Sequence, residues 1–95
     1  MNSQDAYKQK MAAQLKEWSA QINLLEAKME NAGADMKVKG VDELRALRAK
    51  QNVASEKLKE LGKARGEAWV HLKGTADKVW EDLKAGIAVA HSKFK

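Results

Sequence analysis

The sequence predicts an all-α protein made of long helices, because proline is absent and the apolar residues recur at helical spacings. Of the 95 residues, 44% are hydrophobic but only 5% aromatic, so the apolar share is largely alanine and leucine, both strong helix formers. These residues return every three or four positions, the period of one face of a helix. Ninety-five residues make at most one small domain. The expected architecture is a helix at about 4–32, a turn at about 33–41 and a helix at about 42–93, folded as an antiparallel hairpin or coiled coil. A three-helix bundle with a second bend between Gly62 and Gly66 is the alternative, ranked second because neither glycine is flanked by a strong cap.

The first helix carries a heptad seam of Met11, Leu15, Trp18, Ile22, Leu25 and Met29, continuing to Ala32 and Met36. Lys16, Glu17, Lys28 and Glu30 fall beside or opposite this stripe. Leu24 lies off it, which widens the face or marks a second contact surface. Ser3 or Asn2 is the expected cap. In the stretch NAGADMKVKGVD the pattern weakens, and Gly40 is expected to end one helix with Asp42 capping the next. A second, weaker seam reads Leu44, Leu47, Gln51, Ala54, Leu58, Leu61, Arg65, Ala68, Leu72. Polar residues at such core positions fix register or snorkel from a shallow interface, and snorkelling is the expectation for Gln51 and Arg65.

The last stretch, 67–95, changes period. EAWVHLKGTAD, KVWEDLKAGIA and VAHSKFK align at eleven residues, which brings together Ala68, Val79 and Ala90; Trp69, Trp80 and His91; Leu72, Leu83 and Phe94; Lys73, Lys84 and Lys95. Eleven residues are almost three whole helical turns, so each class returns to nearly the same face. With Ala76 and Ile87, the repeat forms an amphipathic face of Trp69, Leu72, Val79, Trp80, Leu83, Ile87 and Phe94. This face suits packing against another helix. It also suits an anionic membrane surface, with the tryptophans at headgroup level and Lys73 and Lys84 beside them.

The chemistry-bearing residues do not assemble into an enzyme. There is no cysteine, hence no disulfide, thiol nucleophile or thiolate metal site. His71 and His91 stand twenty residues apart, ~30 Å along a continuous helix, whereas a pair of metal-binding histidines needs neighbouring turns. The pairs Asp42/Glu43 and Glu81/Asp82 are sequence neighbours and diverge. No phosphate loop or nucleophile elbow occurs, so no catalytic residue, cofactor or metal is expected. The net charge of +5 gathers around Arg45, Arg48, Lys50, Lys57, Lys59, Lys63 and Arg65, but Glu56 and Glu60 are interspersed, which disfavours nucleic acid. The polar start MNSQDAYKQK is neither a signal nor an anchor, and no run reaches the ~20 apolar residues of a membrane span. A cytoplasmic location is expected.

The segment AWVHLKGTADKVWEDLKAGIAVAHSKF, with YKQKMAAQLKEWSAQINLLEAK and ELRALRAKQNVASEKLKEL before it, resembles small bacterial coiled-coil proteins of the cyanobacterial-type stress-response family. Their tails repeat an Ala-Trp-x-x-Leu-Lys unit ending near Ser-Lys-Phe. This chain departs from that pattern at His71, Lys73-Gly74-Thr75 and His91, and at Gly33 and Gly40. The resemblance implies a stress-associated, non-enzymatic helical protein without an assigned molecular activity. The expected function is self-association or binding of a partner helix, in a homo-oligomer or with another helical protein. Reversible membrane-surface binding through the C-terminal repeat is the alternative. Association follows from length: a ~28-residue helix covers about half of a ~50-residue partner at ~1.5 Å per residue.

Overall fold

The computed structural model describes residues 3–93, which form three α-helices: α1 (Ser3–Glu30), α2 (Ala34–Lys63) and α3 (Glu67–Lys93). There is no strand among the described residues. The helices run up, down and up, so α1 and α3 are parallel and both pack against α2, in a body of 50 × 20 × 17 Å. The all-α expectation holds, and of the two arrangements weighed the chain takes the three-helix one.

Both connections differ from the expected hairpin. The first turn is shorter and earlier than 33–41. The backbone N–H and the side-chain amide of Asn31 both donate to the Ala27 carbonyl, at 3.2 and 3.1 Å, and close the end of α1. Gly33 is extended, and its carbonyl accepts from Lys37 N at 3.0 Å to open α2. Gly40, expected to end a helix, is buried inside α2, and Asp42 is helical rather than a cap. Of the two expected caps of the first helix, Ser3 is its first residue and Asn2 lies outside the described residues.

The helix expected at 42–93 is two helices. Ala64 leaves α2 in an extended conformation, and Gly66 has φ +61°, the left-handed region that an L side chain enters only with strain. The Gly66 carbonyl then accepts from Val70 N at 3.3 Å to begin α3. Gln4, in the first turn of α1, donates to the Ala64 carbonyl at 3.1 Å, so α1 satisfies a backbone group that the break releases. Arg65, expected at a core position, is an exposed residue of this connection.

Each helix contributes its predicted stripe to one core: Met11, Ile22 and Leu25 from α1; Leu47, Ala54 and Leu61 from α2; Ala76, Trp80, Leu83, Ile87 and Ala90 from α3. Small residues bring α3 close to α2. A Cβ built on Gly86 would stand 3.1 Å from Leu47 Cδ2 and 3.3 Å from Lys50 Nζ. No polar or charged residue is buried among those described. Polar contacts instead fix α1 against α2 at the margin of the core. Gln51 donates to Ser19 Oγ at 2.7 Å and accepts from Arg48, whose other nitrogen reaches Asn23 at 2.9 Å and Glu26 at 2.8 Å. Gln51 therefore does not simply snorkel: as a bonded member of this network it sets register.

Candidate functional site: the seam between α1 and α3

The predicted seam residues divide by depth. Met11, Ile22, Leu25, Leu47 and Leu61 are buried, while Leu15, Trp18, Met29, Leu44 and Leu58 are half-buried. In the eleven-residue repeat Trp80, Leu83 and Ile87 are buried and Trp69, Leu72 and Val79 half-buried; Phe94 lies outside the described residues. The repeat is thus spent largely on packing within the chain. Trp80, only 3% exposed, donates its indole N–H to the Met11 carbonyl at 3.2 Å.

α1 and α3 meet more sparsely than either meets α2, and the seam between them is filled at the Tyr7–Trp69 end and open towards the other. At the closed end Tyr7 and Trp69 pack edge to face, with centroids 5.4 Å apart at 89°. Lys73 Nζ lies 5.2 Å over the Tyr7 ring and Lys8 Nζ 5.6 Å over Trp69. The Tyr7 hydroxyl donates to Asp77 Oδ1, with the Lys73 carbonyl 3.3 Å away. Burial raises the Tyr7 pKa, and the hydrogen bond to Asp77 and that carboxylate's charge raise it further.

One repeat beyond Trp69, Trp80 fills the seam at Met11. One repeat beyond Trp80 stands His91, a smaller and polar side chain, and here the helices leave a groove. Its volume is about 890 Å³. Trp18, Leu24, Leu25 and Ala27 wall it from α1, with Ile87 and Ala88 from α3; Gln21, Lys28 and Asn31 on one side and Lys84 and His91 on the other supply the polar atoms. Leu24, which fell off the heptad stripe, is 64% exposed at its lip. A neighbouring hollow of about 500 Å³ shares Trp18 and Lys84 but is polar, and its acidic residues are Glu17, Asp77 and Glu81. Every ionisable side chain lining the apolar groove is a lysine or a histidine.

No protein-family model, curated protein or solved structure matches this chain. The site is therefore read from its own chemistry. Among the described residues, no group of three or more His, Asp or Glu side chains is placed to hold a metal ion. No described helix is long and apolar enough to cross a membrane. Five of the seven basic residues in the middle stretch face an acid: Arg45 with Asp42, Arg48 with Glu26, Lys50 with Asp82, Lys57 with Glu60 and Lys59 with Glu56. That pairing dilutes the positive potential a phosphate backbone would need.

The composition of the groove walls was legible in the sequence, but the gap was not. Leu24 stood out as off-stripe, and His91 as the residue breaking the Trp series. The missing knowledge was that α3 is a separate helix lying parallel to α1, which makes the Trp/His face an α1-facing one.

Proposed function

We propose that this protein is a non-enzymatic helical interaction module that receives an amphipathic helix in the open half of the seam between α1 and α3. The observation that carries the reading is the apolar groove itself, walled by Trp18, Leu25 and Ile87 with Leu24 exposed at its lip. Two parallel helices with a trough between them are the surface into which the ridge of another helix packs. From Trp18 on α1 to Asn31 just past its end, the groove extends about 20 Å at ~1.5 Å per residue, or three to four turns of a bound helix.

A single acyl chain fits this site less well. Small-ligand pockets cover ~70–90% of their ligand's surface, whereas this groove is only about half enclosed. An amphipathic helix lays its apolar face in such a trough and keeps its polar face in water. A role in a stress response, implied by the sequence resemblance, is compatible with binding of this kind and forms part of the proposal.

Chemical-shift mapping with a 14-residue amphipathic peptide, helical with Leu at heptad spacing, tests the reading (~14 residues give the ~20 Å of the groove). Shifts clustered at Trp18, Leu24, Lys28, Ala88 and His91, and lost in Leu24→Glu, are expected. Shifts centred on the outer face of α2 would refute it.

A further inference from the structure

The charge of the groove names the kind of helix it takes. We infer that the partner segment is acidic: an amphipathic helix with carboxylates on both flanks of its apolar stripe. The inference rests on the helix-in-groove reading above and adds the chemistry of the occupant.

Three features carry it. First, the charged groups bordering the apolar floor have one sign. Lys28 stands on the α1 wall and Lys84 on the α3 wall. No acidic side chain lines this hollow; the acids of the seam, Glu17, Asp77 and Glu81, line the neighbouring one. Second, the two lysines are offset along the seam. Lys84 lies at the Trp18 level, where the two hollows meet, and Lys28 is ten residues further along α1, about 15 Å at ~1.5 Å per residue. A bound helix would meet one cation on each flank, near opposite ends of a three-turn segment. Third, a second copy of this chain is a poor occupant. The protein carries a net charge of +5, so a second copy would bring a further excess of positive charge towards a groove bordered by Lys28 and Lys84. Like charges brought together at an interface oppose association, while opposite charges raise both the encounter rate and the selectivity.

The test uses the full chain and three peptides that share one apolar stripe and differ only in their flanking residues: Glu, Gln or Lys. Binding is read by chemical shifts at Trp18, Leu24 and Ile87, and affinity by calorimetry at about 50 and 200 mM salt, which spans substantial screening of exposed charges. The Glu peptide should bind at least tenfold more tightly than the Lys peptide, with an advantage that shrinks at the higher salt. The Lys28→Glu/Lys84→Glu variant should reverse that order; both side chains are exposed, and circular dichroism checks that the helices persist. Equal binding of all three peptides in the groove would overturn the acidic partner while leaving the helix-in-groove reading in place. No groove binding by any of them would overturn both, as would groove shifts caused by dodecanoate alone. A wild-type dimer that Leu24→Glu dissociates would replace the acidic partner with a second copy.

Discussion

Alanine substitutions at Gly66 and at Gly74, made one at a time, separate the three-helix chain from a two-helix hairpin by the sign of their effect. Gly74 lies within α3, exposed, with nothing within 4 Å of an added Cβ. Its replacement gains the ~0.8–1.0 kcal/mol by which alanine exceeds glycine in a helix interior. Gly66 has equally open surroundings but a φ of +61°. There a Cβ costs ~1–2 kcal/mol, while the stiffer unfolded chain returns ~0.4–1 kcal/mol. The expected outcome is that Gly74→Ala stabilises by about 1 kcal/mol and Gly66→Ala destabilises by about 0.5–1 kcal/mol. At ~4–8 °C per kcal/mol for a domain of this size, the two melting temperatures should differ by about 10 °C. Thermal and urea unfolding followed by far-UV circular dichroism measure both. If Gly66→Ala stabilises as much as Gly74→Ala, residues 64–66 are helical, α2 and α3 are one rod, and the seam beside α1 does not exist as described.

Further outcomes follow from the same contacts. Trp80→Phe removes the bond to Met11 and part of a buried ring; a loss of ~1.5–3 kcal/mol in urea is expected, with emission shifted to the red because Trp18 and Trp69 are only half-buried. For Tyr7 the folded pKa is raised above the ordinary value of 10.0, so its stabilisation is complete below that value and is lost as pH rises beyond it. The urea midpoint should therefore fall above pH 10, and Tyr7→Phe should flatten the fall. Arg48→Met should cost less than about 1 kcal/mol, because Arg48 and Glu26 are 35% and 40% exposed and water screens the pair; a larger loss would mean the network does more than set register. His91→Trp should fill the groove, leave the helices intact and abolish binding of the amphipathic peptide.

The parts of this fold that were legible are those with a period. A stripe returning every three or four residues has one physical use in water, and Met11, Ile22, Leu25, Leu47, Leu61, Trp80, Leu83 and Ile87 all reached the core it implied. The turns were harder, because their causes are partly remote. At Ala64 part of the cause is remote: its carbonyl is satisfied by Gln4, sixty positions away in sequence. The local signal was the pair Gly62 and Gly66, and it was weighed against their lack of caps. At the first turn the choice between Gly33 and Gly40 was decided by Asn31, whose side chain and backbone both close on Ala27. Gln51 looked like a polar residue at the edge of an interface until Ser19 and Arg48 came beside it. The groove was hidden for the same reason: the repeat showed that Trp69, Trp80 and His91 share a face, while only the tertiary fold shows that this face meets α1.

Helix lengths decide what association can mean for this protein. A short helix against a long one leaves apolar surface that only a partner can cover, and folding would then depend on concentration. Here the three helices have 28, 30 and 27 residues, a mismatch of at most three residues, or ~5 Å at ~1.5 Å per residue. Each helix contributes to one core within the chain, in which Ile22, Leu61 and Leu83 are fully buried. Apolar side chains stay exposed on all three helices, among them Leu24, Val53 and Val70, and the helices leave an apolar groove at the stretch of seam where His91 stands in a tryptophan position. On the proposed reading, binding there would add to helices that already pack on one another, and a partner could come and go without unfolding either helix wall. A groove with that property suits reversible, charge-selected recognition better than a permanent assembly, whose interfaces are usually larger and more apolar.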